Sequence, residues 1–257
     1  MWGALADRDL DRVVVVSPHF DDAALGAAHL LASHPGGTVV TVLGGRPPSY
    51  PDPVSAWDAA GGFTAGDDVV AVRREEDRAA MDVLAARPVW LEFADHQYLT
   101  PDARPDPAEV APELVRALAD ARPTAVFLPM GLANPDHVLT HDAGLRARDA
   151  LAADGTRPLW FCYEDAGYAH LPGLLAWRVA RLFRGGLWPT PAIVPVTPDA
   201  PTKRAAIGCY RSQLEPLRRD HLLEERLQAN VPEQYWRLDP PPAGWEGLSS
   251  ADDLTGG

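Results

Sequence analysis

The chain has 257 residues, enough for one large domain or two small ones, with 46% hydrophobic and 23% charged residues, the profile of an ordinary soluble globular protein. Its formal net charge of −13 argues against a nucleic-acid partner, whose phosphates would be repelled. Two cysteines, Cys162 and Cys209, form no Cys-x-x-Cys pair, which excludes a thiolate zinc ribbon and implies no disulfide framework. The first residues lack a secretory pattern, and no apolar run approaches the roughly 20 residues that span a bilayer. The expected compartment is the cytoplasm, with no membrane partner.

Residues 13–16 are four valines, the mark of a strand covered on both faces. "DDAALGAAHLLASH" then has helical spacing, and "GGTVVTVLGG" is a second buried strand. Residues 46–68 are rich in Pro, Gly and Asp; so long a connection is expected to be functional or mobile. Next come a helix ("VVAVRREEDRAAMDVLAA"), a strand ("PVWLEFAD"), a helix ("PAEVAPELVRALADARP") and a strand ("TAVFLPMG"). A helix ("DHVLTHDAGLRARDALAA") and a strand ("PLWFCYED") complete the series. Strands alternating with helices predict an α/β fold, a parallel sheet with helices on both faces.

Beyond residue 165 the pattern weakens. "LLAWRVARLF" reads as a helix or an irregular apolar segment, and "PAIVPV" as an edge strand. "APTKRAAIGCYRSQL" reads as a helix with proline near its start. "RLDPPPAGWEGLSSADDLTGG" has no period. It is expected to be a tail held in part by Trp236 and Trp245, loosely ordered over 238–257. No repeat or linker divides the chain, so one domain over 1–257 is expected.

Ligands of open α/β sheets bind outside the carboxyl ends of the strands. The polar residues fall there: His19, Asp21 and Asp22 after the first strand, Asp95 and His96 after the third. Asn134, Asp136, His137 and His141 follow the fourth strand, and Glu164 and Asp165 the fifth. In "SPHFDDAALG" either aspartate could simply cap the next helix, but a cap explains neither the histidine nor the second acid. His19 and Asp22 offer a nitrogen and an oxygen ligand to zinc, and His137 can complete a set of three with a position left for water. Asp21 is then free to take a proton from that water. The rival phospho-receiver pattern needs a lysine near the fifth strand, and the only lysine is Lys203. A nucleotide-binding module lacks its Gly-x-Gly-x-x-Gly fingerprint.

"SPHFDDA" paired with "NPDH" resembles the PIG-L / LmbE-like family of zinc-dependent N-deacetylases, over about residues 13–213. The resemblance implies a Rossmann-like three-layer sandwich with a mainly parallel sheet. It implies His19, Asp22 and His137 as ligands of Zn²⁺, Asp21 as the acid that activates water, and Asp95 as a substrate contact. "RREED", with Arg73 and Glu76, looks like the family's Arg-x-x-Glu helix; "YED" and "KRAAIGCYRSQ" also look like family patterns. Phe20 and Ala23 depart from the family at non-ligand positions. Asn134 replaces a histidine thought to stabilise the oxyanion or donate a proton; asparagine can do the first and not the second.

Arg73 and Glu76 fall within the apolar stripe of their helix, so the expectation is an ion pair turned into the site, with Arg73 toward substrate. Asp136 is expected to orient the ligands, and His141, one turn after His137, to be structural or to support them. His96 reads equally as pocket lining or plain loop. His29, His34, His170 and His221 are expected on the surface or in packing, and Trp57 as a cover for substrate. The expected function is removal of an N-acetyl group from an amino sugar or related small-molecule amine. Cleavage of another amide, such as a thiol conjugate, and metal binding without hydrolysis are the alternatives. Oligomeric state is not legible.

Overall fold

The computed structural model describes residues 5–223, 232–241 and 244. In chain order the elements begin with β1 (Val13–Ser17), α1 (Asp22–Gly26), α2 (Ala28–Ser33), β2 (Thr38–Thr41) and α3 (Ala56–Ala60). Then come α4 (Val69–Val83), β3 (Arg87–Trp90), α5 (Pro107–Ala121), β4 (Ala125–Pro129), α6 (Pro135–Ala153) and β5 (Leu159–Tyr163). The series ends with α7 (Leu174–Arg184), β6 (Trp188–Ala192), α8 (Ala200–Cys209), α9 (Arg211–His221) and β7 (Tyr235–Asp239).

The sheet has seven strands in the order β3-β2-β1-β4-β5-β7-β6. The first five are parallel, and β7 runs antiparallel to both β5 and β6. The valine run explains why both faces are covered. Val13 and Val15 join the core layer under α1, α2, α4 and α8, whereas Val14 and Val16 join the layer under α5 and α6. The result is the mainly parallel three-layer sandwich that the alternation predicts. The strand order reverses between β1 and β4, so the ends of these two strands open the crevice in which α/β sheets bind ligands.

Several local expectations are corrected. The first helix breaks at Ala27, where φ is −145°. The break frees backbone N–H groups at His29 and Leu30, and both donate to the Glu233 carboxylate. Gly26, the residue before the break, lies against Tyr163; a Cβ there would come within 2.7 Å of that ring. The third strand stops at Trp90, so Asp95 and His96 lie beyond it at a short 3-10 turn. The helix read through "APTKRAAIGCYRSQL" is two helices divided at Tyr210, whose hydroxyl donates to Asp77 on α4.

The late edge strand is Trp188–Ala192, three residues earlier than "PAIVPV". The stretch expected to be a tail begins inside β7, with Trp236 on that strand paired to Cys162; Trp245 lies outside the described residues. No helix among the described residues is long and apolar enough to cross a membrane.

Candidate active site

The carboxyl end of β1 leads straight into Pro18 and His19. Ser17 fixes that turn: its hydroxyl donates to the His19 carbonyl and accepts the Ala23 N–H. Asp21 sits at the N-cap position of α1, yet its side chain accepts no cap bond, so helix capping does not account for the acid pair. Asp22 Oδ2 instead accepts from the His19 N–H at 2.9 Å. On the neighbouring strand, Asn134 Oδ1 caps α6 by accepting from the Asp136 N–H at 2.8 Å. This cap places Asp136 and His137 in the first turn of α6, at the end of β4.

The two loops bring three donor atoms together. His19 Nδ1 lies 3.1 Å from Asp22 Oδ2, which lies 3.4 Å from His137 Nε2; the three residues each bring a ligand atom within 4.8 Å of the others. Two ligands about 2.0–2.1 Å from a tetrahedral ion stand roughly 3.4 Å apart, so the spacing fits zinc. The outward nitrogens fit as well. His137 Nδ1 is 2.6 Å from Asp165 Oδ1, and His19 Nε2 is 3.1 Å from Asp136 Oδ2. Each imidazole is thus held by a carboxylate on one nitrogen and presents the other to the common point, the usual support of metal-binding histidines. A second grouping, His19 with Asp95 and Asp136, fits less well. Asp136 Oδ2 already serves His19 and His96, and both Asp95 oxygens accept from Gln97.

The electrostatics point the same way. Burial alone would lower the pKa of His19 and His137. The bonds from Asp136 and Asp22 to His19, and the charges of Asp22 and Asp165 beside His137, outweigh it and raise both. Asp22 and Asp136, despite burial, are held well below the usual carboxylate range by the facing histidines. A site whose acids call this strongly for positive charge holds protons or a metal cation. Asp21 behaves differently: burial, then the charge of Asp22, raise its pKa to about 6.

A cavity of about 250 Å³ opens over this point. His19, Asp21, Asp22, Asn134 and His137 line it, with Phe20, Arg73, Asp95 and Tyr168 among the rest. Arg73 is not paired with Glu76. It is buried, and its guanidinium donates to Asp58 Oδ1 at 2.6 Å and to the Tyr98 hydroxyl at 3.1 Å. Glu76 lies outside the lining and accepts from the backbone N–H and the hydroxyl of Ser212. The two charges of the stripe therefore tie different elements to α4: the 46–68 segment through Asp58, and α9 through Ser212. Among the residues read from the sequence, His141 is buried away from the cavity with Nδ1 on the Pro129 carbonyl. Burial lowers its pKa to about 4, so it stays neutral and structural.

Other residues at the site carried a weaker signal or none. Asp165 stands at the end of β5 with its two oxygens divided between His137 and the Leu132 N–H. Its place after a buried strand is the signal that marked it in the sequence. His221 and Tyr168 came from the weakly patterned region. Their rings meet edge to face at 5.1 Å, and Tyr168 meets His137 at 5.2 Å. Trp57 does reach the cavity, with Nε1 donating to Gln213 at 2.8 Å.

The profile of the PIG-L family, described as GlcNAc-PI de-N-acetylase, matches residues 14–148, more than half of the chain. The chain belongs to the PIG-L family. No curated protein matches it. Among solved structures it is similar to a triple mutant (Orf2*T) of a deacetylase of the teicoplanin biosynthetic pathway: 26% identity, 90% of this chain, 99% of that one, TM-score 0.70. The teicoplanin deacetylase Orf2 has also been solved in a zinc-inhibited form. The A40926 pseudoaglycone deacetylase Dbv21 is similar at 26% identity over 91% of this chain and 99% of that one, with TM-score 0.69. GalB, the 4-carboxy-2-hydroxymuconate hydratase of Pseudomonas putida KT2440, shares the fold at 19% identity, covering 91% and 98%, with TM-score 0.57. The teicoplanin and A40926 neighbours are deacetylases, and His19, Asp21, Asp22, Asn134 and His137 lie within the matched segment.

Proposed function

We propose that this PIG-L protein is a zinc-dependent N-deacetylase of an amino sugar, or of a small natural product that carries one. The observation that supports this most is the convergence of His19 Nδ1, Asp22 Oδ2 and His137 Nε2 beside Asp21 in one cavity. The similarity to deacetylases that act in teicoplanin and A40926 chemistry supports the substrate class. A cavity of about 250 Å³ lies below the roughly 300–1,000 Å³ usual for drug-sized ligands. It suits one acylated sugar, with the remainder of a larger substrate outside.

His19, Asp22 and His137 would hold the zinc ion, which when bound would supply Lewis acidity toward an amide carbonyl and water. The side chains do the rest. Asp21, beside the ligands and lining the same cavity, takes a proton from the attacking water and carries it to the amine nitrogen as the C–N bond breaks. One carboxyl therefore serves both proton transfers, and Asn134 need not act as an acid. Asp95, at the cavity wall, contacts the sugar. Arg73 acts on the cavity through its charge, since Asp58 and Tyr98 hold its guanidinium.

The test is acetate release by the zinc-loaded protein from a panel of N-acetylglucosaminides, free and attached to glycopeptide aglycones. Acetate and free amine in equal amounts are expected from at least one. Bound zinc with no acetate from any member contradicts the reading and favours a metal-binding protein without hydrolase activity, the alternative that Asn134 raises.

A further inference from the structure

The amide of Asn134 has only one possible orientation. The Asp136 N–H is a donor, so the atom facing it is Asn134 Oδ1. Nδ2 must then face the other way, where it donates to the Tyr168 hydroxyl at 3.3 Å. The phenol oxygen therefore accepts, and its own proton is directed elsewhere. Among the described residues the hydroxyl donates to none, and Tyr168 lines the same cavity as the ligand triad. Its ring is fixed on two sides, edge to face against His137 and against His221. Gly167 allows the second contact: a Cβ there would stand 3.1 Å from His221 Nδ1.

We infer that the Tyr168 O–H, oriented by Asn134, is the hydrogen-bond donor that stabilises the oxyanion formed as the amide carbonyl is attacked. The inference rests on the deacetylase reading and adds a residue to it. A neutral donor aimed at the site of developing charge is worth most in a partly dry cavity, where it needs no rearrangement as the reaction proceeds. Asn134 acts mainly as the positioning residue: its amide decides which way the phenol proton points.

Two variants and three measurements test this. Tyr168→Phe keeps both ring contacts and removes the donor, together with the oxygen that accepts from Asn134 Nδ2. Asn134→Asp keeps the α6 cap, but its carboxylate draws the phenol proton away from the cavity. Each is compared with wild type for zinc content, kcat and KM on an N-acetylglucosaminide. Each is also titrated calorimetrically with glucosamine N-methylphosphonamidate, whose tetrahedral P–O⁻ mimics the oxyanion, and with N-acetylglucosamine.

Both variants are expected to hold one zinc, to lose about a hundredfold in kcat with little change in KM, and to bind the phosphonamidate at least tenfold more weakly. Affinity for N-acetylglucosamine should be unchanged. Wild-type kcat and phosphonamidate affinity in Tyr168→Phe overturn the inference, and a loss confined to Asn134→Asp gives the role to Asn134 itself. Loss of zinc from Tyr168→Phe makes the residue structural and also overturns it. A wild-type protein that neither releases acetate nor binds the phosphonamidate overturns the deacetylase reading, and this inference with it.

Discussion

Asp165 and Asp136 hold the outward nitrogens of His137 and His19, and so decide which nitrogen each ring presents to the centre. Removing such a partner usually costs 10–100-fold in metal affinity. Asp165→Asn is therefore expected to weaken zinc binding by about that factor in a competition titration with a chromophoric chelator. Unchanged affinity would show that the carboxylate does not set the ring. The raised pKa values of both histidines carry a pH consequence. Zinc must displace their protons, so its affinity falls as pH drops toward and below neutrality, by about tenfold per pH unit for each proton displaced. The same chelator titration run from pH 8 to pH 6 reads this slope. Asp21→Asn should retain zinc and lose about 10²–10⁴-fold in kcat, because it deletes the proton carrier and no proposed ligand.

The elements around the site are joined by buried polar pairs, and these set the effects of mutation at that scale. Arg73 on α4 is paired with Asp58 beside a cavity wall. Asp58→Ala leaves a buried cation unpaired and should cost about 3–5 kcal/mol in urea unfolding. Asp77, also on α4, is wholly buried and accepts from Trp90 Nε1 at 2.7 Å and the Tyr210 hydroxyl at 2.8 Å. Burial raises its pKa from 3.8 to about 6. The folded state therefore binds this proton more tightly than the unfolded chain does. Stability from this group is complete below pH 3.8 and is lost as pH rises toward 6, by roughly 3 kcal/mol. Asp77→Asn should flatten that fall, since the Tyr210 hydroxyl can turn to accept from the amide. Urea unfolding of both proteins at pH 4.5 and pH 7 checks it.

Whole-molecule architecture was legible because hydrophobic periodicity is local. Four valines in a row specify a strand covered twice, and five such strands in alternation with helices specify the sandwich. The meeting of His19, Asp22 and His137 was legible for a related reason: strand ends converge, and among the polar residues there ligand chemistry and the two paired motifs select these three. Side-chain pairing was not legible, because it depends on segments distant in sequence. Arg73 chose Asp58 over Glu76, three residues away on its own helix. Glu233 came from near the chain's end to bind the N–H groups freed at the α2 break and the single lysine, Lys203, at 2.8 Å. Tyr168 and His221 lay outside any motif, so no signal singled out either residue.

The proposed hydrolysis needs a metal held by His19, Asp22 and His137. The most direct measurement is zinc content by mass spectrometry together with acetate release, in wild type and His19→Ala. One zinc per chain with activity in the wild type, and the loss of both in the variant, is the predicted result. Full deacetylase activity in His19→Ala would contradict the account.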